Sequence, residues 1–386
     1  MSNKTLAILC VLAVCMVIWA VVQSHISGMP RTEPGGPTYL IQGLDPEDIG
    51  GIVVGTGEGV ATLQRKGRHF VVIDKYSYPA DTKQVNELIS TCLGIKAGEV
   101  FTDNPANHED LGVTEEKASH IVKLLKRDPN APLLAGIIVG KRKEVGEGTF
   151  VRLLPGDKVY VSPEVPWIKN GALDYIDKEL ISVDRKNIES VTVTLPDGEY
   201  RLTAKDGKDI VLENVPEGKK AKSNECERVL TCLTSLTFDD VRNRALDTGD
   251  LTFDKQHVCR LKDSTVYTVR IAEKDNKAYA TCEADFTDEI APPKGDESED
   301  ALKEKEAKLL ARDKAKAFTA MHQAWIYQIP NWKAQNLTRK VADLVEDEKK
   351  PEEQPGERAE EGKKGDETEG KVEEPGKVNE PNEVEP

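Results

Sequence analysis

A long, uninterrupted run of apolar residues occupies positions 6–22 of the chain. As a helix that rises about 1.5 Å per residue, this run would be roughly 26 Å long, close to the thickness of a bilayer's hydrocarbon core. The pattern therefore predicts a transmembrane anchor over residues 1–23, with residues 5–22 in the membrane. Val22, Gln23 and Ser24 also suit a signal peptidase, so cleavage after Ser24 is an open alternative.

The charge in front of this run sets the predicted orientation. Lys4 is the only charged residue before it, and cytoplasmic flanks carry more Lys and Arg than external ones. We therefore expect a single-pass protein of the inner or cytoplasmic membrane, with a cytoplasmic N-terminus and an extracytoplasmic (periplasmic) body. Residues 24–39 are rich in Gly and Pro, which predicts a flexible tether.

Beyond the tether, one apolar pattern occurs twice, at an offset of 139 or 140 residues for most of its length. Matches that keep the same order along the chain indicate an internal duplication. We expect a first α+β repeat at 40–182 and a second at 183–291. The matched positions are 52–54 with 191–193, 70–72 with 210–212, Cys92 with Cys232 and, after a short deletion, His120 with His257.

Each copy has the pattern of strands, then a helix, then a strand meander. Apolar residues at helical spacing predict a helix over 80–95, and the short turns between the later strands imply antiparallel pairing. A second helical stretch is predicted at 167–180. Residues 292–346 have the pattern of a C-terminal helical segment that packs on the body. Its predicted elements are helices at 299–324 and 331–345 and a strand at 326–329.

Composition changes the picture at the C-terminal end. The chain has 386 residues and a net charge of −15, and residues 347–386 hold fifteen acidic and seven basic residues. This segment has too few apolar residues to offset the entropy of ordering, which predicts a disordered acidic tail. The fold class predicted is thus α+β, a tandem duplicated module of antiparallel β-meanders with packed helices, preceded by one transmembrane helix and followed by this tail.

Function classes that need a recognisable motif find little support in the sequence. The acidic balance, without a basic stripe, argues against nucleic-acid binding. Gly55, Gly57 and Gly59 lack the spacing of a nucleotide-binding loop and fit a flexible hairpin better. There is no GxSxG, HExxH or paired CxxC motif. We therefore assign no catalytic, cofactor-binding or metal-binding residue and expect no cofactor.

Two groups of residues nevertheless deserve a structural test. The segment that contains Asp103, Asn104, Asn107 and His108 is dense in polar turn formers, so it would form a structural turn or line a ligand cleft. The matched histidines His120 and His257 are better explained as residues at the start of equivalent strands than as a pair of catalytic bases. Among the cysteines outside the anchor, Cys92 and Cys232 are expected at equivalent buried helix positions. The one disulfide to consider would join Cys259 and Cys282, in neighbouring parts of one meander.

Several short motifs accompany the apolar N-terminal helix. They are Leu44-Asp45-Pro46, Tyr78-Pro79-Ala80-Asp81, Thr102-Asp103-Asn104-Pro105-Ala106-Asn107, Leu173-Asp174-Tyr175-Ile176 and Ile326-Tyr327-Gln328-Ile329-Pro330. Together they resemble the bacterial family called domain of unknown function 4340, over residues 40–345. The resemblance implies an envelope protein with no assigned activity and no catalytic residues to carry over. It also implies frequent association with transporter components that resemble gliding-motility ABC systems.

The anchor, the repeated β-rich body and this resemblance lead to one functional hypothesis. We expect a non-enzymatic accessory or scaffold protein outside the cytoplasm, auxiliary to an ABC-type transport system. Its partners would be the membrane, through residues 5–22, and ABC transporter subunits or other envelope proteins; a small-molecule ligand is not identified. Two alternatives stay open. One is an envelope hydrolase or ligand-processing enzyme with a site between the repeats, and the other is a structural cell-wall tether.

Overall fold

The computed structural model describes residues 38–57, 59–127, 132–205, 209–246, 249, 251–290 and 298–348. The predicted anchor, the tether up to residue 37 and the acidic tail from residue 349 lie outside them. Within the described ranges, no helix combines the length and apolar character that crossing a membrane requires. Strand β1 (Thr38–Tyr39) pairs with β6 (Lys96–Ala97), so ordered pairing begins two residues before the predicted start of the body.

The fold is a mixed α+β structure with large antiparallel sheets, as the sequence predicts. In the first sheet, the nine strands lie in the spatial order β5-β4-β3-β2-β8-β9-β10-β11-β7, with every neighbouring pair antiparallel. In chain order these are β2 (Ile49–Val54), β3 (Ala61–Lys66), β4 (His69–Val72), β5 (Tyr78–Pro79), β7 (Val100–Thr102), β8 (His120–Lys126), β9 (Leu133–Arg142), β10 (Thr149–Leu154) and β11 (Val159–Ser162).

Helix α1 (Thr82–Gly94) confirms the helix predicted over 80–95. The carboxylate of Asp81 begins it by accepting a hydrogen bond from the Lys83 N–H at 2.8 Å, which satisfies one of the free donors of the first turn. Its apolar positions recur at helical spacing and are buried, so one face packs on the first sheet. The buried residues are Val85, Leu88, Ile89 and Cys92.

The second sheet repeats this arrangement with eight strands, in the spatial order β15-β14-β13-β19-β20-β21-β22-β18. Its strands are β13 (Ile188–Leu195), β14 (Gly198–Lys205), β15 (Asp209–Leu212), β18 (Asp240–Asn243), β19 (Lys255–Leu261), β20 (Thr265–Lys274), β21 (Lys277–Phe286) and β22 (Trp325–Ile329). The remaining elements are β12 (Glu179–Ile181), β16 (Lys219–Ala221), β17 (Leu236–Thr237), β23 (Val345–Asp347), α2 (Ser223–Leu230), α3 (Glu299–His322), α4 (Asn331–Leu337) and α5 (Val341–Leu344).

Matching strands take matching places in the two sheets. β2 lies between β3 and β8, as β13 lies between β14 and β19, and the pairing registers agree at the centre. In the first sheet, Ile52 pairs with Leu63 and Leu124; in the second, Val191 pairs with Leu202 and Cys259. We refer to residues 38–177 as the first copy and residues 178–346 as the second copy.

One connection differs strongly between the copies. Residues 155–158 join β10 to β11, whereas residues 287–324 join β21 to β22 and include α3. This helix packs along β21. The Thr319 hydroxyl accepts from the Ala284 N–H at 2.8 Å and lies 2.7 Å from the Ala284 carbonyl oxygen, to which it also donates. It therefore satisfies backbone groups of β21 beyond the part that pairs with β22, and so covers an exposed sheet edge.

Two predicted elements differ from the structure. Residues 167–180 do not form a helix but a 3-10 turn, Ala172–Tyr175, followed by β12. The Asp174 carboxylate accepts from the Gly171 N–H at 3.0 Å, a bond typical of a helix start, so the helical turn begins after Gly171, and it ends at Ile176, where the backbone is extended. The helix predicted over 331–345 is divided into α4 and α5. Thr338 ends α4 with a non-helical backbone (φ −120°, ψ 27°), and its hydroxyl donates to the Ala334 carbonyl at 2.8 Å.

The segment 292–346 is not purely helical. Its strand β22, predicted at 326–329, pairs with β21 on one side and with β18 on the other. A domain boundary at residue 291 therefore divides the second sheet. Most of the buried apolar residues of both copies also belong to one hydrophobic cluster, which includes Ile52 and Val85 of the first copy and Val191 and Leu344 of the second.

Candidate functional site

The polar segment proposed as a turn or cleft follows edge strand β7 and forms a turn. The Asn104 side chain accepts from the Ala106 N–H at 3.1 Å, and Asn107 Nδ2 donates to the Thr102 hydroxyl at 3.0 Å. Both bonds stay within the segment and hold a short 3-10 helix in place. Asp103 is exposed beside this turn and makes no hydrogen bond or ion pair in the part of the chain that the structure describes.

His108 ends this turn and is buried. Its Nδ1 lies 2.6 Å from Nη1 of Arg152, and its Nε2 lies 2.8 Å from the carbonyl oxygen of Asp157. Because a guanidinium group can only donate, Nδ1 accepts and Nε2 carries the proton that is donated to Asp157. Both ring nitrogens are therefore used to fasten the turn to β10 and to the connection after it.

These contacts favour the structural turn over the ligand cleft as the interpretation of the segment. Asn104, Asn107 and His108 serve a structural turn, and none of their hydrogen bonds reaches the second copy. The described residues also contain no group of three or more His, Cys, Asp or Glu side chains placed to hold a metal ion. The structure thus gives no geometric support to a site between the copies at this segment.

The matched histidines are not at equivalent positions. β2 pairs with β8 in the first copy as β13 pairs with β19 in the second. In these matching pairs, Val122 takes the place of His257. His120 starts β8 two residues earlier and is half-buried, whereas His257 is fully buried, with Nδ1 3.2 Å from the Leu337 carbonyl oxygen. Burial lowers the pKa of His257 to about 4. The match in sequence came from a two-residue shift between the strands.

The predicted equivalence of Cys92 and Cys232 is also shifted in the structure. Counted from the helix caps Asp81 and Lys222, the place of Cys92 is taken by Leu233, which is also buried. Cys232 precedes it, in a 3-10 turn after α2, and is half-buried. The five cysteines of the described body are all free, so the disulfide considered between β19 and β21 is not formed.

Aromatic side chains of both copies pack where the copies meet. The ring of Tyr78 in the first copy lies edge-on to Trp325, Phe238 and Tyr327 of the second, with centroid distances of 4.9, 6.0 and 6.3 Å. At the edge of this junction, Lys75 Nζ lies 2.7 Å from an Asp240 carboxylate oxygen. These contacts fasten the sheets to each other through side chains that are mostly buried.

A groove lies on the first copy, between α1 and the turn that joins β3 to β4. Its volume is about 470 Å³. The apolar side chains of Phe70, Val85 and Ile89 line its floor, while Thr82 and Asn86 stand on the exposed side of α1. We call this feature the α1 groove. It is open to solvent and belongs to the first copy alone.

The rim of the α1 groove carries positive charge. Arg65 donates to the carbonyl oxygens of Ile49 and Pro46 at 2.8 and 3.0 Å and lies over the Phe70 ring. Glu47, the acidic residue of the rim, is within 3.5 Å of Arg65 and 3.1 Å of Arg127. The charge of Glu47 is therefore balanced by these two arginines.

Arg68 and His69 complete this rim, and both are exposed. Across the described ranges, Arg68 makes no hydrogen bond or ion pair. It is thus a cation that stands next to an apolar floor without a compensating acid.

In the second copy, an ion pair occupies the place that corresponds to the α1 groove. Arg185 begins the 3-10 helix that corresponds to the one begun by Pro46, and Glu227 stands at the same distance from its helix cap as Asn86. Arg185 Nε and Nη2 donate to the two carboxylate oxygens of Glu227 at 2.8 and 3.0 Å. This two-pronged pair spans the space that stays open in the first copy.

The fold and these sites define a protein of two similar antiparallel sheets that share one core. The sequence model of the family described as "Domain of unknown function (DUF4340)" matches residues 71–256, from β4 of the first copy to β19 of the second. The resemblance indicated by the short motifs is therefore confirmed over this range. A search among curated proteins found no match to the chain.

Proposed function

We propose that the protein is a non-enzymatic accessory or scaffold subunit that binds partner proteins. The observation that carries this proposal is the continuous packing between the copies, where Tyr78 meets three aromatic rings of the second copy. Two sheets on one core form a stiff body that presents its surfaces at fixed positions, which suits a binding platform. The engagement of Asn104, Asn107 and His108 in a turn supports this function over a hydrolytic one.

The finer parts of the proposal rest on the sequence. The apolar run at 6–22 supports an anchor in the inner membrane, with the body outside the cytoplasm. The strand order that the two sheets share, apart from the extra strand β5 of the first, supports an origin by tandem duplication. Association with an ABC-type transport system follows from the family resemblance alone.

Co-purification tests the scaffold function. The full chain, extracted from its native membrane in a mild detergent, should recover transporter subunits at a constant ratio. The control is a fusion of residues 1–39 to an unrelated soluble domain, which keeps the proposed anchor and lacks the body, and it should recover none. Recovery of the full chain alone would contradict the scaffold function.

Protease treatment of spheroplasts tests the proposed location separately. The body should be degraded under conditions that leave a cytoplasmic marker intact. Survival of the body while known external proteins are digested would place it on the cytoplasmic side.

A further inference from the structure

We propose that the α1 groove binds an acidic amphipathic segment of a partner protein. This inference rests on the scaffold function and deepens it, because it names the surface that is used and the chemistry of the partner. Three features of the groove carry it: its apolar floor, its cationic rim, and the contrast with the closed second copy.

The floor accounts for the apolar half of the ligand. The largely buried side chains of Phe70, Val85 and Ile89 form the apolar floor beside α1. From Thr82 to Leu93 this helix runs for about 17 Å at 1.5 Å per residue. A groove of this length matches three turns of a helical ligand, whose apolar side chains would pack against the floor.

The rim accounts for the charged half of the ligand. Arg65 and Arg127 are occupied by Glu47 and by backbone carbonyls, whereas Arg68 has no partner within the described ranges. A ligand carboxylate at Arg68 would form a charge-assisted pair beside an apolar surface, where water screens it less than on open surface. Because the chain as a whole is acidic, most of its other surfaces would repel an acidic ligand. Such a ligand would therefore prefer the positive rim.

In the second copy, an ion pair fills the space that corresponds to the α1 groove. There, Arg185 and Glu227 satisfy each other across the helix and the 3-10 turn. In the first copy the two positions hold Pro46 and Asn86, which cannot form this pair. The first copy therefore leaves open both the space and the positive charge that an external carboxylate would fill.

Binding of a synthetic peptide tests the inference directly. The probe is a fluorescein-labelled 16-residue peptide with Leu at helical spacing and Glu at the other positions, and a matched peptide carries Lys in place of Glu. The full chain, held in lipid nanodiscs, is titrated by fluorescence anisotropy, with empty nanodiscs as the background. We expect saturable binding of the Glu peptide at least tenfold tighter than of the Lys peptide, and weaker binding as salt rises. Equal binding of the two peptides would overturn the inference.

Two variants locate the binding in the groove. Arg68→Glu should weaken binding at least tenfold, while Arg142→Glu, the same charge change at an exposed residue outside the groove, should not. The double variant Pro46→Arg/Asn86→Glu rebuilds the ion pair of the second copy without changing net charge and should abolish binding. Pro46→Arg alone adds a positive charge and should retain it. Wild-type affinity in a double variant with unchanged circular dichroism would refute the groove as the binding site.

The same double variant separates this inference from the scaffold function. If the wild type recovers partner subunits in detergent and the double variant recovers them equally, the groove is not their site and the scaffold function stands. If the wild type recovers none, the scaffold function itself fails.

Discussion

The hydroxyl oxygens of Tyr78 and Tyr327 lie 3.5 Å apart, although the two residues belong to different copies. Burial raises the pKa of both phenols, which favours the protonated hydroxyls. On its other side, the Tyr327 hydroxyl lies 2.6 Å from Nδ1 of His322. The two sheets are thus joined by a small polar chain inside an otherwise apolar junction.

Substitution of Tyr78 should destabilise both copies together. Tyr78→Ala removes a ring that packs against three others, so we expect the free energy of unfolding to fall by about 3–5 kcal/mol. Tyr78→Phe keeps the ring and should cost less than about 1 kcal/mol, because the contact that it loses is long for a hydrogen bond. Urea titrations followed by tryptophan fluorescence and by circular dichroism should give one coincident transition. The control is Tyr76→Ala, at an exposed neighbour, which should be nearly neutral; two separate transitions in the wild type would argue against a shared core.

His257 should make the protein sensitive to mild acid. Its pKa is about 4 in the fold and about 6.5 in the unfolded chain, so below pH 6.5 the unfolded chain binds a proton that the folded chain does not. Stability is therefore lost as pH falls from 6.5 towards 4, and this group causes no further loss below that.

His257→Val, which introduces the side chain found at the equivalent Val122, tests this effect. We expect the loss of unfolding free energy between pH 7 and pH 5 to shrink by about 2 kcal/mol, measured by urea denaturation at each pH. The control variant is His69→Val, which removes a histidine from an exposed position. An unchanged pH dependence in His257→Val would show that other groups cause the acid sensitivity.

The turn after β7 offers a test between structural and catalytic roles. His108→Ala leaves Arg152 and the Asp157 carbonyl without their partner, so we expect a loss of about 1–3 kcal/mol in unfolding free energy. Asn107→Ala loses one exposed hydrogen bond and should cost less than about 1 kcal/mol. If Asn107→Ala or Asp103→Asn abolished an envelope phenotype while the protein stayed fully stable, the hydrolytic alternative would regain support.

The thiols of Cys259 and Cys282 should be free even in an oxidising compartment. They lie on β19 and β21, which are separated by β20, so their Cα atoms are about 10 Å apart, beyond the roughly 7 Å that a disulfide allows. Burial raises the pKa of Cys259 to about 12 and raises that of Cys282 as well. Both thiols should label slowly in the folded protein and fully in denaturant without reductant, as measured by mass spectrometry. A pair that labels only after reduction would contradict the strand order.

The sequence predicted elements well wherever apolar spacing and chain geometry agree. Helix α1 and the long strands of both meanders follow that spacing, and the order of the two copies was visible from matched segments. Position by position, however, matching identical letters was misleading. His257 is equivalent to Val122 and Cys92 to Leu233, because burial, rather than residue identity, is what the two copies share at these places.

The α1 groove shows a different limit of sequence reasoning. The difference between the copies that opens this groove was present in the sequence. Pro46 and Asn86 stand where the second copy has a basic and an acidic residue. That contrast has meaning only when both positions are known to face each other across a helix and a turn. The polar segment around His108 was more conspicuous in the sequence, yet its side chains are used for local hydrogen bonds.

The connection that carries α3 has a practical consequence. The second sheet accommodates residues 287–324 between two strands that the first sheet joins with residues 155–158, and β22 still takes its place next to β21. The end of this hairpin is thus a permissive position, at which the chain leaves the sheet and returns without altering the pairing of the strands. In the first copy, the turn at 155–158 is the corresponding place to graft a fluorescent or affinity domain, with Asp157 kept because its carbonyl oxygen accepts from the buried His108.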